Sequence, residues 1–450
     1  MIGRKRPSAD AAAVSGLPLH SNFVWILAGN IIYAACQWGL IVTLAKAGSS
    51  LMIGRFSLGL AIATPVLMFT NLNLRAVQAT DAKRLYSFAE YLQLRSLMTL
   101  AALAVIAGLA WVERYDLQTK LVILAVAIMK ATETLSDIHY GLFQLNDRLD
   151  QTGTSMMVRG ALSIVGLSVG LYLTHDVFWG CIGVSLFWIA TLLLFDFRRG
   201  RYLVARSQRA FSSLNTGVRW QPDNLRRLWN LVLLALPLGI VTTLASINLN
   251  MPRYFIEARR GEHELGIFSA LAYATVAMTL VGDSMGHCTI PRMSRQYACG
   301  QFADFRAALI KLTAVGAALG LAGLLVAQVM GARLLLIFYS AEYAARSQVF
   351  VVLMIATAIH CVAGMLSSGI TSARCFQVQA ATWALVVASS ALACHMLVPS
   401  AGLAGAAWAM VIGATVRLVL MAAAVAYLFW MNAKRPGRQA AQVAEWNPST

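Results

Sequence analysis

Lys130, Glu133 and Asp137 fall at i, i+3 and i+7 within the run Lys130-Ala131-Thr132-Glu133-Thr134-Leu135-Ser136-Asp137. That spacing puts all three on one face of a helix, with Thr134 beside them. The sequence leading into them is apolar, so the charges sit in a helix of membrane-spanning character, where an ionisable group is costly and ordinarily faces a cavity or a partner. Two chemistries fit the pattern. Lys130 and Glu133 can pair only to fix helix packing, with Asp137 solvated near the helix end, or the acids can take part in coupling and gating. Asp283 and His287, at i and i+4, offer a second such couple. It reads either as a proton-sensitive pair or as an ordinary hydrogen-bonded one.

Anion-binding chemistry is suggested elsewhere. Arg417 has no acidic residue within a helical turn of it in the sequence, so its partner is expected on another helix, in an anionic ligand or in water. The stretch Ser246-Ile247-Asn248-Leu249-Asn250-Met251-Pro252-Arg253-Tyr254-Phe255 combines two asparagines, a proline expected to break the helix, and an arginine. Asn248, Asn250 and Arg253 there suit either a polar ligand at the helix mouth or a capped helix end. Asn30, Tyr33 and Gln37 form a polar stripe at i, i+3 and i+7, which suits sugar hydroxyls and interhelical hydrogen bonds equally. Asn71, Asn73 and Arg75 read as an interfacial anchor.

Other chemistries lack their residues. His139, His360 and His395 are solitary in the sequence, and the cysteines at 36, 181, 288, 299, 361, 375 and 394 are scattered and odd in number. Neither set has metal-ligand or disulfide spacing. No phosphate-binding loop and no nucleophile-and-base arrangement appears. The expectation is a protein that is not an enzyme, with no cofactor and no metal.

The elements that must position these residues are transmembrane helices. Of 450 residues, 59% are hydrophobic and 12% charged, with a mean hydropathy of +0.67, outside the usage of soluble domains. Apolar runs fall near 22–45, 55–74, 92–112, 119–141, 157–174, 177–196, 228–249, 265–288, 308–329, 347–370, 379–397 and 403–431. Each matches the thickness of a bilayer at helical rise, and the alternating segments of a membrane β-barrel are absent. An all-α integral membrane fold of about twelve spans follows. Arg4, Lys5 and Arg6 before the first run resemble a signal peptide, but the run is long and carries Asn30 and Gln37, so it reads as a retained helix.

Placing both termini inside puts 25 of the 36 Lys and Arg residues on the cytoplasmic side, as the bias of cytoplasmic loops requires. Nine stand outside, at 46, 55, 114, 120, 253, 259, 260, 333 and 346, and Lys130 and Arg417 fall within spans. The formal charge of +17 is thereby explained by topology rather than by nucleic-acid binding. The densest basic stretch, from Arg198 through Arg199, Arg201, Arg206, Arg209, Arg219 and Arg226 to Arg227, reads as a linker against anionic headgroups. The expected division is a six-helix bundle over 1–197, a basic cytoplasmic linker over 198–227, a second bundle over 228–431 and a cytoplasmic tail over 432–450.

The halves repeat each other. Gly54-Arg55-Phe56-Ser57 matches Gly266-Ile267-Phe268-Ser269 at an offset of 212, and Phe88-Ala89-Glu90-Tyr91 matches Phe302-Ala303-Asp304-Phe305 at an offset of 214. A repeat of six spans is even, so both copies share one orientation and relate by an axis along the membrane normal, a geometry used for alternating access around a central cavity.

Several motifs resemble the polysaccharide transporter family, the Wzx-type flippases of O-antigen and exopolysaccharide within the MOP superfamily. They are Asn22-Phe23-Val24-Trp25 with Gly29, Asn30 and Gln37; Asn71-Leu72-Asn73-Leu74-Arg75; the Lys130–Asp137 run; and Asn250-Met251-Pro252-Arg253-Tyr254-Phe255-Ile256-Glu257 with Gly266 and Phe268. The resemblance implies two six-helix bundles around a cationic cavity, in the inner membrane of a bacterium. It implies a polyprenyl-pyrophosphate-linked oligosaccharide as cargo, moved during surface polysaccharide biosynthesis and driven by a proton or sodium gradient. Arg253, Arg417 and Arg55 would attract the pyrophosphate, with Lys130, Asn30, Gln37, Asn248 and Asn250 lining the cavity. Glu133, Asp137, Asp283 and His287 would serve coupling or gating. Membrane lipids and a polysaccharide polymerase or other assembly protein are the expected partners. The alternative is a MATE-like exporter of drugs or small solutes, which would need an acidic cavity. A major-facilitator reading lacks its Gly-x-x-x-Asp-Arg type signature between spans 2 and 3, and a glycan polymerase or ligase would need a larger outer loop than 250–264.

Overall fold

A computed structural model of the chain describes residues 19–81, 85–211, 224–373 and 375–433. Among them every regular element is helical: α1 (Leu19–Ala47), α2 (Ser50–Asn71), α3 (Leu74–Thr80), α4 (Phe88–Val112), α5 (Leu117–Leu145), α6 (Leu149–Thr174) and α7 (Val177–Thr191). A π-helical turn (Leu192–Phe197) leads into α8 (Arg198–Phe211), followed by α9 (Asn224–Ala274), α10 (Val276–Ala298), α11 (Phe302–Phe338), α12 (Ala341–Ala344), α13 (Ser347–Ser372) and α14 (Phe376–Ala433). Two of these are each a pair of helices joined across a glycine: Gly261 at φ 82° in α9 and Gly402 at φ 56° in α14. Positive φ is a conformation glycine adopts without steric cost, so the chain reverses there with almost no loop. Counted this way, each of the twelve apolar runs lies on its own helix, the eighth being the end of α9 continued by α10. Nine helices among the described residues are long and apolar enough to cross a membrane.

The lipid solvent is visible in α4. Its exposed face carries Leu97, Leu100, Val105, Leu109 and Val112, while its buried face carries Arg95 and Thr99 beside Leu94, Ala102 and Ile106. A water-soluble protein shows the reverse arrangement. The helix is started by a capping box, with Ser87 accepting from the Glu90 amide and Glu90 accepting from the Ser87 amide.

Between helices in lipid, burial of apolar surface drives nothing, and close packing of small residues replaces it. A Cβ on Gly166 of α6 would overlap the Gly183 backbone of α7, and a Cβ on Gly183 would overlap Gly166 in return. Two compact units result. The first holds the described residues through Thr43 together with Ile62–Thr243, and the second holds Leu44–Ala61 and Leu244 onward. The bundles therefore do not follow the chain in one piece each, because the first part of α2 packs with the second unit. In the first unit, Leu228, Leu231 and Ala235 of α9 pack on Leu72, Leu74, Tyr91, Leu94 and Ile138. In the second, Phe305, Leu309, Leu312, Met365, Met421 and Leu428 form a core.

The repeat motifs occupy matching places. Phe88 and Phe302 are the first residues of α4 and α11. Phe56 and Phe268 are both buried, and Ser57 and Ser269 are both fully buried with hydroxyls that have no hydrogen-bond partner. Gly54 lies so close to the backbone at Glu262 that a Cβ would overlap it, and a Cβ on Gly266 would overlap Ser50.

Candidate functional site

In the first unit, α5 carries the charged face read from the sequence. Lys130 and Glu133 form an ion pair, and the Tyr33 hydroxyl of α1 donates to Glu133 at 2.5 Å. Asp137 is not left to water: Arg75 reaches it at 3.3 Å and Arg95 of α4 at 3.4 Å. Both carboxylates of this face are thus matched by cations. Of the α1 stripe, Tyr33 joins the network, Asn30 is half-buried, and the Gln37 amide nitrogen is buried with no hydrogen-bond partner.

Three charged residues of this unit were absent from the sequence reading of intramembrane groups. Arg95 and Arg159 were counted among the cytoplasmic basic residues, yet both lie inside spanning helices and are almost completely buried. Arg159 of α6 contacts Asp196 at 3.3 Å and donates to Ser136 of α5; its guanidinium lies 5.3 Å from the centre of the Trp188 ring and 5.9 Å from that of Tyr140. Asp196 sits in the π-helical turn, a rare geometry that recurs at functional positions. The signal was present: Arg159 stands two residues inside the apolar run 157–174, and Asp196 is the last residue of the run 177–196. His139, read as solitary, donates from Nδ1 to the Leu135 carbonyl at 2.9 Å and packs edge-on against Phe88 and Phe197.

In the second unit, α9 runs through Pro252 without interruption, so the expected break at that residue does not occur. The chain departs from helix at Gly261 instead. Pro252 removes only one amide, and transmembrane helices tolerate this where neighbours satisfy the freed groups. Arg253 donates to the Asn250 side chain at 2.8 Å and lies 5.5 Å from the centre of the Tyr273 ring. Asn250 in turn donates to the Ser246 carbonyl, while Asn248 accepts from Ser390 of α14 at 2.8 Å. Arg55 is ion-paired with Glu262 at 2.9 Å, with both side chains largely buried.

Of the partners expected for Arg417, another helix, an anionic ligand or water, the structure supplies one on another helix. One of its terminal nitrogens lies 3.1 and 3.0 Å from the two ring nitrogens of His360 on α13, and its guanidinium sits 4.6 Å from the centre of the Trp383 ring. His360, read as solitary, is therefore part of this arrangement. Arg417 is 9% exposed, so the imidazole and indole hold a cation well inside the protein. The side chains of Asp283 and His287, on α10, lie outside the described residues.

Outside the spanning helices, at the α5–α6 turn, Arg148 donates to both oxygens of Asp150 at 2.9 and 2.8 Å, and these bonds hold its proton more firmly than usual. Burial likewise pushes the Tyr343 phenol of α12 up.

No family model matches the chain. It is 25% identical over 334 residues, 74% of this chain and 80% of the other, to the capsular polysaccharide biosynthesis protein CapF of Staphylococcus aureus. Among solved structures it is similar to the lipid II flippase MurJ in an inward closed conformation, with a TM-score of 0.72 at 10% identity over 89% of this chain and 87% of that one. A multidrug resistance MATE transporter of the MOP superfamily in its inward-facing conformation gives 0.62 at 12% identity over 95% and 98%. The solved structures it resembles are a flippase and a transporter rather than enzymes. The chain is an all-α, multi-pass integral membrane protein with the fold seen in MurJ and in the MATE transporter, and the resemblance to polysaccharide flippases in its sequence is matched by a relative from capsular polysaccharide biosynthesis.

Proposed function

We propose that the chain is a flippase that moves a polyprenyl-pyrophosphate-linked oligosaccharide across a bacterial inner membrane, with both termini cytoplasmic, by alternating access coupled to a proton or sodium gradient. The observation that carries this reading is Arg253, a cation in a spanning helix held by an amide and an aromatic ring, neither of which cancels its charge. A guanidinium presented in this way recruits an anion, and its planar fork matches pyrophosphate oxygens. Arg417, oriented by His360 and Trp383, is the second cation of the binding set. The similarity to a lipid II flippase and to a capsular polysaccharide protein supports a lipid-linked saccharide as cargo.

A MATE-like exporter of cationic solutes would need free carboxylates. Glu133 and Asp137 are each already engaged by Lys130, or by Arg75 and Arg95, which disfavours that reading.

The test is the amount and sidedness of lipid-linked oligosaccharide in membranes of cells with and without this chain. Build-up of the complete lipid-linked unit on the cytoplasmic face in its absence is the expected result. Unchanged levels with normal surface glycan would reject the flippase and bring the small-solute exporter forward.

A further inference from the structure

Three reversals of the second unit gather around one recess. The chain turns at Gly261 within α9, at Arg346 before α13 and at Gly402 within α14. Arg260, Glu264, Arg346, Ser400, Gly402 and Ala404 line the space between them. Arg260 is exposed and donates to the Pro399 carbonyl at 3.0 Å, a neutral acceptor that leaves its charge in place. Arg346 reaches Glu264 at 3.4 Å, with the two side chains 49% and 28% exposed. A half-solvated pair at that distance is loosely held, so Arg346 is available to a better acceptor. Two guanidinium groups against one carboxylate leave the recess net positive.

Topology does not account for these two arginines. On the orientation proposed above they belong to the nine basic residues of the outer side, where loops ordinarily carry few. Gly402 also starts the second helix of α14 at the recess, where Leu403 and Ala404 line it, and the opening amides of a helix favour negative charge.

We propose that this recess is an oxyanion site that holds the phosphate of a lipid at the outer membrane interface, with Arg260 and Arg346 as its cationic ligands and Glu264 as the internal competitor. The phosphate has two chemical sources, the headgroup of a resident anionic phospholipid or the pyrophosphate of a polyprenyl carrier. Its placement at the outer interface rests on the orientation proposed above, but binding is measured in the absence of transport, so the site can fail while the flippase reading stands and the reverse.

The full chain in maltoside detergent is titrated with phosphatidylglycerol and, separately, with farnesyl pyrophosphate, and bound lipid is read by native mass spectrometry. R260Q/R346Q is expected to weaken the preferred lipid at least tenfold, and E264Q to tighten it. Preference for phosphatidylglycerol identifies a resident lipid, and preference for farnesyl pyrophosphate identifies the carrier. Equal affinity in the wild-type protein and R260Q/R346Q for both lipids overturns the site. Should the double variant fail to fold, E264Q decides: unchanged or weaker binding overturns the proposal.

Discussion

Replacing Arg159 by Met should destabilise the first unit severely, and adding a second substitution should largely cure it. Asp196 is fully buried, with Oδ2 at 3.3 Å from the Arg159 guanidinium and Oδ1 without a hydrogen-bond partner. Removing the arginine strands a carboxylate in a medium of low dielectric, which costs about 3–5 kcal/mol for a buried pair. The pair itself is not a large net asset. Its contact is longer than the roughly 2.7–2.9 Å of a strong charge-assisted bond, and the Arg159 Nε has no partner either. The attraction therefore offsets only part of the desolvation of two ions. What Met cannot replace is the cation–π contact with Trp188, 5.3 Å away, worth about 1–2 kcal/mol when desolvated. Arg159→Met/Asp196→Leu should then lie within about 2 kcal/mol of wild type, giving a coupling of at least ~2 kcal/mol between the sites. The assay is the fraction of detergent-solubilised, fluorescently tagged protein that stays folded across a denaturant series, for the wild type, both single variants and the double. Additive losses would refute the argument. So would a cost below about 1 kcal/mol for Arg159→Met, since it would mean that water reaches Asp196.

Gly54→Ala and Gly266→Ala should each abolish accumulation of folded protein, because the new methyl meets backbone rather than a side chain that can move; Gly108→Ala, with nothing within 4 Å, should be tolerated and is the control in the same membrane-yield measurement. Arg417→Lys should lose most glycan export despite keeping the charge, since an ammonium cannot present the flat face that stacks on Trp383; surface polysaccharide should be restored by neither Lys nor Gln at that position. Asp137→Asn should destabilise the protein by about 3 kcal/mol or more, because Arg95 is fully buried and loses its charge partner, as a thermal melt of the purified protein would register. Ser87→Ala should cost roughly 1 kcal/mol through the lost cap of α4.

Helix number and place were legible because apolar run length is a direct consequence of bilayer thickness. The repeat was legible at Gly54 and Gly266 for a related reason: backbone contact admits one residue type, so the letter survives in both halves. The charged face of α5 was legible through its spacing, and the pairing of Lys130 with Glu133 followed. Partners on other helices were not. Nothing adjacent to Arg417 names His360 or Trp383, which lie 57 and 34 positions away, and nothing near Asp137 names Arg95. Arg95, Arg159 and Asp196 were missed because each stands near the end of an apolar run, where a charge is ordinarily in water. Pro252 misled in the opposite direction: its missing amide breaks a helix in water, but a spanning helix has no better conformation to adopt.

The approach of Gly54 to Glu262 and of Gly266 to Ser50 has a mechanical consequence. Side chains between two helices act as a compliant layer, since rotamers can absorb a small tilt or shift. Here that layer is missing, and main chain rests on main chain at both glycines. At these two points the joint is stiff to compression, since no side chain lies between the backbones to yield. Displacement of α2 at this level is passed to the chain beyond Gly261 with no yielding layer at these two points, and the Arg55–Glu262 ion pair ties the same two segments together.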